Sequence, residues 1–249
     1  MKHYGLIGYP LTHSFSRNFF LEKIKNENLT DVSYSNFPIK SINEFPDLIS
    51  KVKKLKGINV TSPYKEDIIK YLDDIDEEAK EIGAVNVVKI NKINESLFLK
   101  GYNTDIYGFV SSIKEYLNNN IKSALILGTG GAAKAVAFGL KKLNINYTFV
   151  TGKNISNNLM LNYNDLNKEI IQNNLLIINA TPLGIFPKIN AKPNIPYKYI
   201  SENHILYDLI YNPAETLFLK EGLKKGAIII NGLKMLHFQA EKAWEIFNS

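Results

Sequence analysis

Ser123-Ala124-Leu125-Ile126-Leu127-Gly128-Thr129-Gly130-Gly131-Ala132-Ala133 is the stretch whose reading decides the fold. Its first five residues have the pattern of a short buried strand, its glycines make a tight turn, and residues 132–143 continue with helical periodicity. This is G-x-G-x-x-A in strand, turn, helix order, the context in which a glycine pattern reads as dinucleotide-binding. Gly128 permits the turn, Gly130 lets the backbone approach a pyrophosphate, and Ala133 allows helix and strand to pack closely. The helix start offers N–H groups and a positive dipole end to phosphate. The bland alternative is a glycine-rich turn that holds no ligand.

Outward from this turn, apolar runs alternate with turn signals in the manner of β-α units. Residues 147–151, 175–180, 205–209 and 228–230 are short and almost wholly apolar, as strands of a parallel sheet buried on both faces are. Helices are expected over 106–117, 132–143, 216–224 and 235–247. Earlier in the chain, 4–7, 32–37 and 57–60 read as strands and 18–26, 42–54 and 65–72 as helices. Residues 84–90 and 97–101 read as a strand pair around a turn at 91–94.

The end of the strand after the glycine turn selects the cofactor, because an acid there binds the ribose of NAD. This chain has Thr151-Gly152-Lys153-Asn154 instead. No acid repels a 2′-phosphate and Lys153 can pair with one, so NADP is favoured over NAD. The alternative is a solvated loop lysine.

Three segments carry polar chemistry. Asn59-Val60-Thr61-Ser62-Pro63-Tyr64-Lys65 closes a strand and opens an expected helix, with Ser62 as N-cap and Pro63 in the first turn. Lys65 then falls at the third helical position, a cation against the positive dipole end. It reads as a proton donor or acceptor, or as a solvated surface lysine. Asp105 follows Asn103-Thr104. Alone it reads as an N-cap or first-turn acid, or else as the group that holds a substrate hydroxyl and orients a lysine. Ser14 and Ser16, in an expected extended loop, point the same way and can grip a carboxylate, or simply cap the next helix.

Composition removes several functions. With no cysteine and four scattered histidines among 249 residues, no metal site is expected. The net charge is +6, but the lysines are spread along the chain and Arg17 is the only arginine, so no nucleic-acid partner is expected. No apolar run approaches the roughly 20 residues needed to cross a bilayer. Met1 leads straight into a strand-like segment without a charged leader, so a cytoplasmic location and no membrane partner are expected.

Taken together, the motifs resemble those of shikimate dehydrogenases. The resemblance is carried by Gly8-Tyr9-Pro10-Leu11-Thr12-His13-Ser14-Phe15-Ser16, by 59–65, by Gly83-Ala84-Val85-Asn86 and by Asn103-Thr104-Asp105. It continues through Asn179-Ala180-Thr181-Pro182-Leu183-Gly184, Tyr207-Asp208-Leu209-Ile210-Tyr211-Asn212-Pro213, and the tail from Asn231-Gly232 to Gln239-Ala240. It implies an α/β chain in two domains facing a cleft. These are a substrate domain, 1–105 plus 233–249, and a Rossmann-type doubly wound parallel-sheet domain, 106–232. It implies that Ser14 and Ser16 hold a substrate carboxylate, that Thr61, Asn86, Tyr211 and Gln239 bind ring hydroxyls or carboxylate with Asn59 nearby, and that Lys65 and Asp105 form the catalytic pair. It assigns Gly128, Thr129, Gly130, Gly131, Ala132, Gly152, Lys153, Asn154, Leu209 and Gly232 to the cofactor, with Glu77 reaching it too.

The chain departs from the family pattern at Gly152-Lys153-Asn154, where many members carry Asn-Arg-Ser/Thr, and at Tyr64, where many carry His. The implied reaction is reversible NADPH-linked reduction of 3-dehydroshikimate to shikimate, toward chorismate and the aromatic amino acids, by a monomer or homodimer. Two other readings remain: a quinate/shikimate dehydrogenase using NAD, and a non-catalytic dinucleotide or metabolite sensor of the same fold. A sensor needs neither Lys65 nor Asp105.

Overall fold

Strands that bury both faces need cover on both sides, and the chain builds two such sheets. The computed structural model describes residues 1–11, 15–94, 96–152 and 160–249. These divide into one unit of Met1–Thr104 with Ala240–Ser249 and a second of Asp105–Gln239.

The first unit contains β1 (Lys2–Gly8), α1 (Phe15–Asn26), β2 (Val32–Pro38), α2 (Phe45–Lys51), β3 (Leu55–Val60), β4 (Asp74–Ile75), α3 (Glu77–Ile82), β5 (Val87–Ile93) and β6 (Ser96–Tyr102). Its sheet runs β2-β1-β3-β5-β6-β4. β1 lies parallel to β2 and β3, whereas β5 is antiparallel to both β3 and β6, so this sheet is mixed. Alternate side chains serve opposite cores. Tyr4 and Leu6 join Phe20, Tyr34, Val87, Trp244 and Phe247 on one face, and Ile7, Ile58 and Val60 join Phe45, Ile68 and Val88 on the other.

The second unit contains α4 (Asp105–Ile113), β7 (Ser123–Leu127), α5 (Gly131–Lys142), β8 (Asn146–Thr151), β9 (Met160–Asn162), α6 (Lys168–Asn173), β10 (Leu176–Asn179), β11 (Ile205–Asp208), α7 (Leu217–Leu223), β12 (Ile228–Ile230) and the start of α8 (Leu233–Asn248). Its sheet, β12-β11-β10-β7-β8-β9, is parallel throughout. Ala124 and Ile126 of β7 face Phe109, Val136 and Leu140, while Leu125 and Leu127 face Ile171, Phe218 and Leu219. Helices thus cover both faces. The strand order reverses between β7 and β10, which makes their C-terminal ends the topological switch point where such folds bind ligands.

Three expectations are corrected. The helix expected over 42–54 splits into a short 3₁₀ turn and α2, because Ser41 and Glu44 form a capping box that starts the turn just before Pro46. The helix expected at 65–72 is not an α-helix. Its only helical part is a 3₁₀ segment, Asp67–Tyr71, and Lys65 precedes it in a turn. Lys65 O is taken by the Val85 N–H at 2.7 Å, and the Ile69 N–H that would close an α-turn on it goes to Glu66 O at 3.3 Å instead, in 3₁₀ fashion. Finally, α8 belongs to both units rather than only to the first. Met235 packs into the second unit's core, and a Cβ on Gly108 would stand 2.5 Å from Met235 O, whereas Ala240, Ala243, Trp244 and Phe247 pack into the first. Among the described residues, no helix is long and apolar enough to cross a membrane.

Candidate active site

In the first unit the polar motifs are assembled by the backbone around the C-terminal end of β3. Thr61 N–H donates to Ile7 O at 3.0 Å and Val60 N–H to Asn86 O at 2.8 Å. Gly8 packs tightly beside this strand end, where a Cβ would lie 2.4 Å from Thr61 Cγ2 and 3.2 Å from Ser62 O. The turn that carries Lys65 is fixed from below by Tyr64, which is buried and donates its hydroxyl to Ile39 O at 2.7 Å. Lys65 itself is half-buried. The helix dipole expected to act on it is missing, because no α-helix begins there.

The Gly83–Asn86 and Asn103–Asp105 motifs lie side by side. Asn86 N–H donates to Tyr102 O at 3.0 Å, extending the β5–β6 pairing by one step. Asn103 Nδ2 donates to Ala84 O at 2.9 Å. Asn86 Oδ1 accepts from Thr104 N–H at 2.7 Å, and Asn86 Nδ2 donates to the Thr104 hydroxyl at 3.0 Å. Val85 in turn holds the Lys65 carbonyl. One network therefore runs from the lysine turn through Val85 and Asn86 to Thr104, and Asp105 is the next residue, the buried first residue of α4.

Of the other expected substrate residues, Asn59 is buried on the opposite face of β3 from Ile58, where Tyr34 donates to its Oδ1 at 2.8 Å. Ser16 stands in the first turn of α1, not in an extended loop, because α1 already begins at Phe15. Ser14 lies outside the described residues. Tyr211 and Gln239 belong to the second unit. Burial raises the Tyr211 hydroxyl above its ordinary value.

The second unit's glycine turn stands at the switch point. Gly128 has φ +107°, which strains any residue with a side chain, and a Cβ there would lie 3.1 Å from Ala180 O. Thr129 follows it, and Gly130 is the N-cap of α5 with no side chain to satisfy the helix start. A Cβ on Gly130 would meet nothing within 4 Å. A helix start with no side-chain cap leaves its first N–H groups available to a ligand, and phosphate is the group that such ends bind. Ala133 is fully buried, as close helix–strand packing demands. Gly152 is exposed at the end of β8 with open space around its α-carbon, while Lys153 and Asn154 lie outside the described residues. Leu209 and Gly232 are brought together by a backbone contact. Glu77 is the exposed first residue of α3, in the other unit.

The residues that frame this turn were present in the sequence motifs but carried no assigned role there. Asn179 and Asp208, both fully buried, end β10 and β11. Burial pushes the Asp208 carboxyl up to about 6, against hydrogen bonds from Thr216, Ile210 and Asn179 that favour its ionised form. The signal for them was a single polar residue closing an otherwise apolar strand.

These features find close counterparts. The family model for the shikimate dehydrogenase substrate binding domain matches residues 6–88. A relative from Methanococcus aeolicus, named shikimate dehydrogenase (NADP(+)), is 43% identical over 98% of this chain and 90% of its own. A crystal structure of a shikimate dehydrogenase in complex with NADP+ superposes with TM-score 0.84 at 34% identity, covering 99% of this chain and 90% of that one. The Thermus thermophilus enzyme in complex with NADP(H) and shikimate gives TM-score 0.84 at 29% identity over 99% and 93%. With that identity sustained from end to end, the chain belongs to the shikimate dehydrogenase family.

Proposed function

We propose that this chain catalyses the reversible NADPH-linked reduction of 3-dehydroshikimate to shikimate, an oxidoreductase step on a CH–OH group toward the aromatic amino acids. The observation that carries the reading is the network that ties the Lys65 turn to Val85 and Asn86, and Asn86 to Thr104, one residue before Asp105. Two segments distant in sequence, the Lys65 turn and Asn103–Thr104, are thereby tied together within the first unit, which supports the reading.

The residues present fit a dinucleotide. Gly128, Gly130, Gly131 and Ala132 would hold its phosphates at the uncapped start of α5, with Gly152, Leu209 and Gly232 beside it. When bound, NADPH supplies the hydride. The chain's own residues do the rest. Thr61, Asn86, Tyr211, Gln239 and the Ser14–Ser16 pair orient the substrate. Lys65 donates a proton to the carbonyl oxygen as charge builds there. Asp105 accepts a hydrogen bond from the neighbouring hydroxyl and orients the lysine. In the reverse direction Lys65 takes the hydroxyl proton back. Held geometry is the other large contribution, since fixing donor and acceptor removes an entropic cost otherwise included in the barrier. We place this reaction in the cytoplasm, carried out by a monomer or homodimer on a small soluble acid.

The test is the loss of NADPH absorbance when 3-dehydroshikimate is added to the pure enzyme. Oxidation is expected, and faster than with NADH. No oxidation of either nucleotide overturns the reading, and faster turnover of quinate with NAD replaces it by the quinate activity.

A further inference from the structure

Asp208 is a buried acid that the proposed reaction does not use. A carboxylate taken out of water is costly unless it is paired or hydrogen-bonded, and among the described residues no ion pair reaches this one. Its three hydrogen bonds go to three different segments. Oδ1 accepts from Asn179 Nδ2 at 3.0 Å and from Ile210 N–H at 3.0 Å, and Oδ2 accepts from the Thr216 hydroxyl at 2.6 Å. Asn179 ends β10, Ile210 follows β11, and Thr216 is the N-cap of α7.

The network continues to the glycine turn. Asn179 Oδ1 accepts from Thr181 N–H at 3.1 Å and from its hydroxyl at 2.6 Å. Thr181 Cγ2 in turn stands 3.2 Å from where a Cβ on Gly128 would be. On the other side, Leu209 lies half-buried between two buried neighbours, Asp208 and Ile210. Its N–H donates to Asn179 O at 3.0 Å, and the next N–H, of Ile210, is held by the Asp208 carboxylate. A fully apolar side chain would leave the Ile210 N–H and the Thr216 hydroxyl without their acceptor, and the Asn179 amide with Leu183 O alone.

We propose that Asp208 is a positioning residue of the dinucleotide site, holding Thr181 against the glycine turn and presenting Leu209 to the bound cofactor. This rests on the NADP reading of the Gly128 turn. It separates the residue from a purely structural acid, whose loss weakens both ligands alike.

The experiment measures binary dissociation constants of NADP+ and of shikimate for the full chain and its Asp208→Ala, Asp208→Asn and Thr181→Val variants, with thermal unfolding as a check on folding. Asp208→Ala is expected to raise Kd for NADP+ by about tenfold or more while Kd for shikimate stays within about twofold. Asp208→Asn should restore NADP+ binding to within about threefold, because its amide oxygen still accepts from Asn179 and Ile210 and its NH2 can donate to Thr216. Thr181→Val should weaken NADP+ in the same direction, and it carries the test alone if Asp208→Ala does not fold. Unchanged NADP+ binding in folded variants, or equal weakening of both ligands, overturns the positioning role only. Failure of the unsubstituted chain to bind NADP+ overturns the functional reading as well.

Discussion

Gly232 and Leu209 are locked backbone to backbone: a Cβ on Gly232 would stand 2.0 Å from Leu209 O and 2.6 Å from its carbonyl carbon. Gly232 N–H also donates to Ile210 O at 3.0 Å, so the glycine cannot retreat without losing that bond. Main chain does not swing aside as a side-chain tip does. Gly232→Ala is therefore expected to cost about 3 kcal/mol of stability, the upper part of the range for overpacking. Urea denaturation monitored by far-UV circular dichroism measures it, and a loss below about 0.5 kcal/mol would show that the backbone yields.

Gly130 offers the opposite case. Its φ of −77° suits any residue and the space around its α-carbon is open. Gly130→Ala should leave stability unchanged or raise it by up to about 1 kcal/mol through the unfolded chain. The added methyl group would nevertheless stand where phosphate must approach, so NADP+ affinity should fall by about tenfold or more. A calorimetric titration that finds wild-type affinity would remove Gly130 from the cofactor site.

Lys65→Ala should lower kcat by about 10²–10⁴ while changing KM for shikimate only a few-fold. Lys65→Arg keeps the positive charge but not a readily released proton. It should bind substrate and still turn over slowly. Steady-state kinetics in which arginine restores kcat would mean that charge alone, not proton transfer, is the contribution of Lys65.

Asp208 gives a pH prediction with a definite sign. Its folded pKa, about 6, is raised above the ordinary 3.8, so the folded state keeps a proton that the unfolded chain releases. The stabilisation is complete below the lower value and is lost as pH rises through the upper one. Relative to Asp208→Asn, which cannot ionise, the unsubstituted protein should lose on the order of 2 kcal/mol between about pH 4 and pH 7. Urea curves for the two proteins that stay parallel across this range would show that the carboxyl is not perturbed.

What the sequence disclosed follows from how local each cause is. The second sheet was legible because strands such as β10 and β11 are buried on both faces and show as unbroken apolar runs. The glycine turn was legible because Gly128 is required by its own φ. Lys65 was placed on a helix that does not form, because the Val85 N–H that claims its carbonyl arrives from the distant stretch before β5 and leaves no local trace. The extended loop expected at Ser16 gives way to α1 starting at Phe15, and short elements such as β4 and α3 are too brief for periodicity to reveal. The Asp208 network stayed hidden for the same reason as the lysine turn. Its members are individually ordinary and meet only when β10 and β11 pair.

The division of α8 between two cores has a consequence for synthesis. Tyr4, Leu6 and Phe20 are among the first apolar side chains made, yet Trp244 and Phe247, which cover them, come after the entire second unit. Until then that face of the earliest sheet has α1 against it but lacks the cover of Trp244 and Phe247, and partly covered apolar surface of this kind favours aggregation. The first unit's core is therefore completed only when the far half of this helix has been made.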